Sequence, residues 1–271
     1  MKHLAAGGNW TRRYEYEPTN NRLKSTHIGD NANPADYTKY RHHAKHGYME
    51  ELPHLEKIDW NFKEEVVLTI RQHCTADNIP VITYYQYDGD GQRIRKITEN
   101  QAASGNTPTK KEERIYIAGY ELYKQHSGTH AGLERVSLGL MDEDHRFVMI
   151  ETRNDVDDGT EKHLIRYQLH NLLGSAALEL DNTAQVISYE EYHPYGTTAY
   201  QAINAAIKSA AKRYRYTGME RDEETGLEYH SARYYLPWLG RWLSSDPIGI
   251  GDGVNVYGYV KNNPISCLDL T

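Results

Sequence analysis

Tyr84-Tyr85-Gln86-Tyr87-Asp88-Gly89-Asp90-Gly91-Gln92-Arg93-Ile94-Arg95-Lys96-Ile97 decides the fold. Tyr85 and Tyr87 fall on one face of an alternating run, Asp-Gly pairs follow, and a second run resumes at Arg93. Asp-Gly between two alternating segments predicts a β-hairpin, because the turn needs positive φ. The plan recurs outward from this point. Arg13-Tyr-Glu-Tyr-Glu-Pro18 leads into Asn21-Arg22-Leu23, and Tyr189-Glu-Glu-Tyr-His-Pro194 leads into Tyr195-Gly196. Each unit is Tyr-x-(x)-Tyr with an acid, a Gly or Asn turn, then often Arg and an aliphatic residue. A single hairpin cannot bury enough surface alone, so such units must add edge to edge.

Other segments obey the same period of two. Ile58, Trp60 and Phe62 alternate with polar residues, and after a break at Lys63–Glu65 so do Val66, Leu68 and Ile70. Ile165–Tyr192 holds a Tyr-bearing strand, Ala177–Leu180, an Asp181-Asn182 turn and Val186–Tyr192. The expected exceptions are loops at Gln101–Lys111 and Asn154–Thr160, a short helix near Tyr37–His46, and a surface helix over Ala202–Lys212, which is Ala-rich and free of Gly and Pro.

Composition agrees with an extended β architecture. The chain of 271 residues has 23 Tyr against 2 Phe, and its mean hydropathy is -0.80. Tyrosine brings an apolar ring with a polar tip, which suits half-buried sheet faces. The net charge of -7, with both signs interspersed, argues against nucleic acid as a partner. No run of about 18 apolar residues predicts a membrane span, and the N-terminus does not read as a signal peptide. Cys74 and Cys267 read as two separate free thiols. No cofactor or metal is expected. His42, His43 and His46 have a spacing that could set two imidazoles at i and i+4 of a helix, but polar loop histidines are commoner. Asp155, Asp157 and Asp158 read as a solvated acidic loop, since the length and final Glu of a calcium loop are missing. Ser175 near His170 reads as a strand-to-turn connection.

The segment Arg213-Tyr-Arg-Tyr-Thr-Gly-Met-Glu-Arg-Asp-Glu-Glu-Thr-Gly-Leu-Glu-Tyr229 is more specific. It continues through Ala232-Arg-Tyr-Tyr-Leu-Pro-Trp-Leu-Gly-Arg-Trp-Leu-Ser-Ser-Asp-Pro-Ile-Gly249, Asn255-Val-Tyr-Gly-Tyr-Val-Lys-Asn-Asn-Pro264 and Leu268-Asp269. It resembles the RHS repeat-associated core, and the Tyr hairpin unit resembles the YD repeat of the same proteins. Met49–Trp60, Tyr84–Lys96, Glu113–Tyr123 and Arg166–Tyr195 resemble the toxin-complex C-like, SpvB-associated branch. The likeness covers most of the chain and is weakest at Gly29–His46 and Asn154–Lys162.

The resemblance implies a mainly β fold, a spiral of antiparallel YD-repeat hairpins forming part of a hollow shell, with one or two short helices. It divides the chain into a repeat region, 1–212, and a core domain, 213–271, that closes the shell. It implies encapsulation of a C-terminal toxin and, as the one enzymatic activity, intramolecular cleavage by an aspartyl autoprotease. The implied partners are a toxin cargo not present in this chain and either upstream shell repeats or a toxin-complex B-type partner. The implied setting is secreted, within a larger toxin of bacterial competition or virulence, or cytoplasmic for an orphan fragment. A Tyr-rich module for glycans or cell surfaces is the alternative.

Family register assigns the acids to Asp246, in Asp-Pro-Ile-Gly, and Asp269, 23 residues later, with Arg233 as the site's arginine. Peptide hydrolysis by an acid pair needs one carboxylate to activate water and one acid to protonate the carbonyl, and two close aspartates split those roles. The second motif departs from the pattern: Leu270 stands where the family has proline. The family's cut lies a few residues beyond this motif, so the stretch ending at Thr271 is expected to hold neither the scissile bond nor a toxin.

Overall fold

The computed structural model describes residues 2–3, 8–30, 33–72, 78–143 and 145–269. Cys74, Leu270 and Thr271 lie outside the described residues. A first hairpin joins β1 (Trp10–Tyr16) to β2 (Leu23–Ile28), flanked by two-residue strands at Lys2–His3 and Thr38–Lys39. Twelve strands then form one antiparallel meander, in which each strand pairs with the next one of the sheet in sequence. They are β3 (Leu55–Trp60), β4 (Val66–Arg71), β5 (Ile82–Tyr87), β6 (Arg93–Glu99), β7 (Lys110–Ile117), β8 (Tyr120–Gln125), β9 (Glu134–Asp142), β10 (His145–Arg153), β11 (His163–His170), β12 (Ala176–Leu180), β13 (Val186–Tyr192) and β14 (Thr198–Ile203). A small sheet closes the chain: β15 (Glu220–Arg221), β16 (Glu228–His230), β17 (Arg233–Leu236) and β18 (Arg241–Trp242).

One turn is used repeatedly. Asn61, Asp88, Asn171 and Asp181 each sit at a strand end, and the side-chain Oδ1 of each accepts from the backbone N–H groups two and four residues on. The residue three positions on then adopts positive φ: Glu64 at 61°, Gly91 at 80°, Gly174 at 72° and Ala184 at 63°. A short carboxylate or amide thus replaces the missing turn partners, which is why Asx recurs at these hairpins. Several hairpins also carry a register shift near the turn, at Gln86/Tyr87, Glu179/Leu180 and Glu191/Tyr192 among others. Such bulges increase strand twist.

The two faces of the large sheet differ. Cross-strand partners share a face, so Lys96 sits beside Arg114, Tyr116 beside Glu121, Glu121 beside Ser137 and Ser137 beside Glu151. Further along, Gln168 sits beside Glu179 and Glu179 beside Ser188. This polar face receives residues 212–235. Arg93 donates to Asp222 at 3.0 Å and to Glu220 at 2.7 Å, Lys96 reaches Glu224 at 2.8 Å, and Arg213 joins Glu121 to Glu220. The opposite face carries Ile117, Tyr120, Leu138, Ile150 and Ile165 in successive register, with Ile117, Tyr120 and Leu138 exposed.

Two apolar clusters fix the closing sheet. One packs Leu227, Tyr234, Leu236, Leu239 and Leu243 against Leu23, Met49, Leu55, Ile58, Val66 and Tyr85. The other is aromatic: Tyr216, Tyr235, Trp242 and Tyr259, with Tyr192, Tyr195 and Cys267 against them.

Two helix expectations are corrected. Residues 202–203 of the Ala-rich segment end strand β14, and the rest crosses the sheet face without helical repeat. Its backbone is held from outside the segment: the Lys208 carbonyl accepts from the Glu161 N–H, and the Ala210 carbonyl from Arg166. An 11-residue helix is marginal unless packing supports it, and these tertiary bonds favour the crossing. Residues 37–46 form short strands, Thr38–Lys39 and Arg41–His42, because they extend the first hairpin and pair with Met49–Glu51. The helical pieces among the described residues are four 3₁₀ turns, at Pro34–Asp36, Tyr216–Gly218, Gly249–Asp252 and Val260–Asn262. Phe62, read as continuing a strand, lies in the Asn61 turn and is exposed.

Candidate functional site

Strand β17 is buried throughout, and its first residue is Arg233. The Leu243 N–H bonds the Tyr234 carbonyl, which brings the chain after β18 back beside β17. Asp246 follows three residues later. Its backbone N–H donates to Val256 and its carbonyl accepts from Gly249, while its side-chain Oδ1 accepts from the Ile248 N–H at 2.9 Å. This Asx turn leaves Oδ2 facing Arg233 Nη1 at 2.9 Å.

Asp269 arrives by another route. Val260, Lys261 and Asn262 all take positive φ and reverse the chain after Tyr259. Cys267 then bonds back to the Asn263 carbonyl and packs on the aromatic cluster. The arm ends with Asp269 Oδ2 accepting from Arg233 Nη2 at 3.0 Å. The terminal nitrogens of one guanidinium therefore touch both carboxylates. Arg233 itself is 3% exposed at the side chain, against 13% for Asp246 and 14% for Asp269. A buried cation between two carboxyl groups offsets the repulsion that would part them if both were ionised. The guanidinium also lies over the Trp242 ring, 4.1 Å from its centroid. The three residues assigned from the sequence are thus brought together, with Arg233 between the two acids.

Sequence reasoning did not find Trp242, nor the pair behind it. His230 stands opposite Arg233 in the β16–β17 register, and Glu228 opposite Tyr235. Both are buried, with Glu228 Oε2 3.9 Å from His230 Nε2. Burial pushes the Glu228 carboxyl well above the usual range. Burial, then the nearby Arg233 charge, lowers His230 to about 3. Strand alternation puts Glu228 and His230 on one face, and register, invisible in the sequence, sets that face beside Arg233 and Trp242.

The minor candidates resolve differently. His42 lies on a strand, and burial with the Arg241 and Arg22 charges lowers it to about 4. The His43 and His46 rings lie 4.9 Å apart and tilted by 39°, and His46 contacts Glu64 at 2.8 Å. The i, i+4 helical arrangement of these histidines is therefore not formed. Asp155, Asp157 and Asp158 are ion-paired to Lys162, Arg153 and Arg135. Ser175 follows the Asn171 turn, and its hydroxyl accepts from the Thr217 N–H. Among the described residues no group of three or more His, Cys, Asp or Glu could hold a metal ion, and no helix is long and apolar enough to cross a membrane.

No family model matches the chain. Toxin subunit YenC2 of Yersinia entomophaga is 35% identical over 269 residues, covering 98% of this chain and 26% of the relative. Toxin subunit YenC1 of the same organism is 33% identical over 284 residues, covering 95% of this chain and 28% of the relative. The chain therefore spans about a quarter of the length of these relatives. Among solved structures, the crystal structure of TcdB2-TccC3 superposes with a TM-score of 0.75 at 30% identity, over 96% of this chain and 13% of that one.

Proposed function

Because the chain is an RHS/YD-repeat protein of the toxin-complex C-like kind, we propose that it closes one end of a toxin-enclosing shell and carries the acid pair that frees the cargo. Residues 1–212 supply wall and residues 213–271 the closing core domain. The shell is completed by upstream repeats or a B-type partner, and the assembly acts outside the producing cell. The observation that carries the reading is the Asp246–Arg233–Asp269 bridge, with contacts of 2.9 and 3.0 Å at a buried guanidinium.

Each residue has a part in the cut. Asp246 Oδ1 accepts from the Ile248 N–H and Oδ2 ion-pairs with Arg233 Nη1, which orients the carboxylate that activates water. Asp269 sits on the arm leading toward the bond to be cut and supplies the acid that protonates the carbonyl. Arg233 holds the two at working separation and offsets charge as the tetrahedral oxyanion forms.

The test uses residues 1–271 followed by a C-terminal segment of the kind the longer relatives have room for. Mass spectrometry should find a break a few residues beyond Asp269 in wild type, and none in Asp246→Asn or Asp269→Asn. An uncut wild type, or a cut that survives both substitutions, overturns the protease reading.

A further inference from the structure

Behind Arg233 lie three buried polar atoms with no hydrogen-bond partner: both carboxylate oxygens of Glu228 and Nε2 of His230. Glu228 is 0% exposed and His230 4%. The closest approach between the acid and the imidazole, 3.9 Å, exceeds a direct hydrogen bond. One bridging water, or a small shift of either side chain, closes it. Buried polar groups left unpaired are rare in folded proteins, and each needs an explanation.

We propose that Glu228 and His230 share one proton across this gap and act as positioning residues for Arg233. The inference rests on the reading of Arg233, Asp246 and Asp269 as the acting site. The charge balance argues for one proton on the pair. An ionised Glu228 would be a buried anion without a donor, at a cost of several kcal/mol. A protonated His230 would set a second cation beside Arg233 in a poorly solvated interior. A proton held on Glu228 and turned toward Nε2 avoids both, and leaves the Arg233 charge committed to the two aspartates.

The surroundings fit that state. The charged groups facing Glu228 are Arg221, its cross-strand neighbour, Arg215, and Glu190 from the wall. Lys212 and Arg215 are already paired with Glu190. Arg233 is the charged group facing His230, and the rest of its surround is the rings of Trp242, Tyr235 and Tyr259. The imidazole meets the Trp242 ring at 86°, with centroids 5.2 Å apart, and Trp242 carries the Arg233 guanidinium. A fixed imidazole therefore fixes the indole, and the indole fixes the arginine.

Two readouts test this. Difference infrared spectra of the folded chain at neutral pH should contain a protonated-carboxyl band that Glu228→Gln removes. Absence of such a band overturns the shared proton. In the same extended chain, Glu228→Leu and His230→Leu should each slow the cut about tenfold or more with far-ultraviolet dichroism unchanged, and Glu228→Gln should recover to within about threefold of wild type. Wild-type rates in both leucine variants overturn the positioning role. An uncut wild type instead sinks the protease reading, and the infrared band then decides the shared proton alone.

Discussion

Arg93→Met is the sharpest probe of how the wall holds the closing sheet. Arg93 is 1% exposed at the side chain and contacts Glu220 at 2.7 Å and Asp222 at 3.0 Å. It also donates to the Tyr234 hydroxyl at 3.1 Å, and its guanidinium lies 4.4 Å from the centroid of the Tyr229 ring. Methionine nearly fills the space of the stem but leaves two buried carboxylates short of a cation. Breaking a buried pair by removing one partner costs about 3–5 kcal/mol. Here both acids keep some compensation, Glu220 from Arg213 at 2.8 Å and Asp222 from Lys96 at 3.2 Å. The expected loss therefore falls at the low end, about 3 kcal/mol, which for a chain of this size lowers Tm by roughly 8 °C. Calorimetry and urea unfolding measure it. Adding Asp222→Asn should recover about half of the loss, because one stranded charge disappears. A loss under about 1 kcal/mol, or a double variant no better than the single, would refute the idea that these charges are desolvated and mutually dependent.

Three further outcomes are expected. His230 is held neutral with its pKa down at about 3, so its contribution is present above pH 6.5 and is lost as pH falls toward 3, on the order of 5 kcal/mol in all; His230→Asn should flatten the stability profile between pH 6.5 and 4.5, measured by urea unfolding. Glu228 has the opposite sign: its folded pKa lies well above 4.5, so its contribution is full below pH 4.5 and is lost as pH rises, and Glu228→Gln should gain on wild type steadily from pH 5 to 8. The large sheet ends in β3 and β14, and β14 carries no charged residue and exposes Tyr200 and Ile203; concentration-dependent association by light scattering should weaken in Tyr200→Lys, since a lysine on an open edge opposes added strands.

The hairpins were legible because their causes are local. Asp88 through Gly91 and Asp181-Asn182 carry the side-chain acceptor and the positive-φ position within five residues, and strand alternation on either side needs no tertiary knowledge. The Ala202–Lys212 helix failed for the converse reason. Propensity favours it, but Arg166 and Glu161, some forty residues upstream, capture its carbonyls. Asp246, Asp269 and Arg233 could be named from motif register, while their meeting depends on the left-handed run Val260–Asn262 and on Cys267 seating in the aromatic cluster. Trp242, His230 and Glu228 were hidden as neighbours of Arg233, because that meeting follows from pairings Tyr235↔Trp242 and His230↔Arg233 that no spacing reveals.

The charged face of the sheet explains how such a site can be aimed at all. Apolar surfaces tolerate small slides at modest cost, because one methyl replaces another. Ion pairs buried to a few per cent exposure do not, because a slide strands every charge it passes. Arg166 already binds Glu151 and Glu179 within the sheet, so those acids are closed to the arriving chain. Glu190 is left for Lys212 and Arg215, Glu121 for Arg213, and Arg93 with Lys96 for Glu220, Asp222 and Glu224. Residues 212–224 can satisfy these partners in one register only. That register fixes β15, then β16 by pairing, then β17, and so the Arg233 guanidinium. The position of Arg233, which holds the two aspartates, is thus set by electrostatics some ten to twenty residues earlier in the chain, along a segment that touches neither acid.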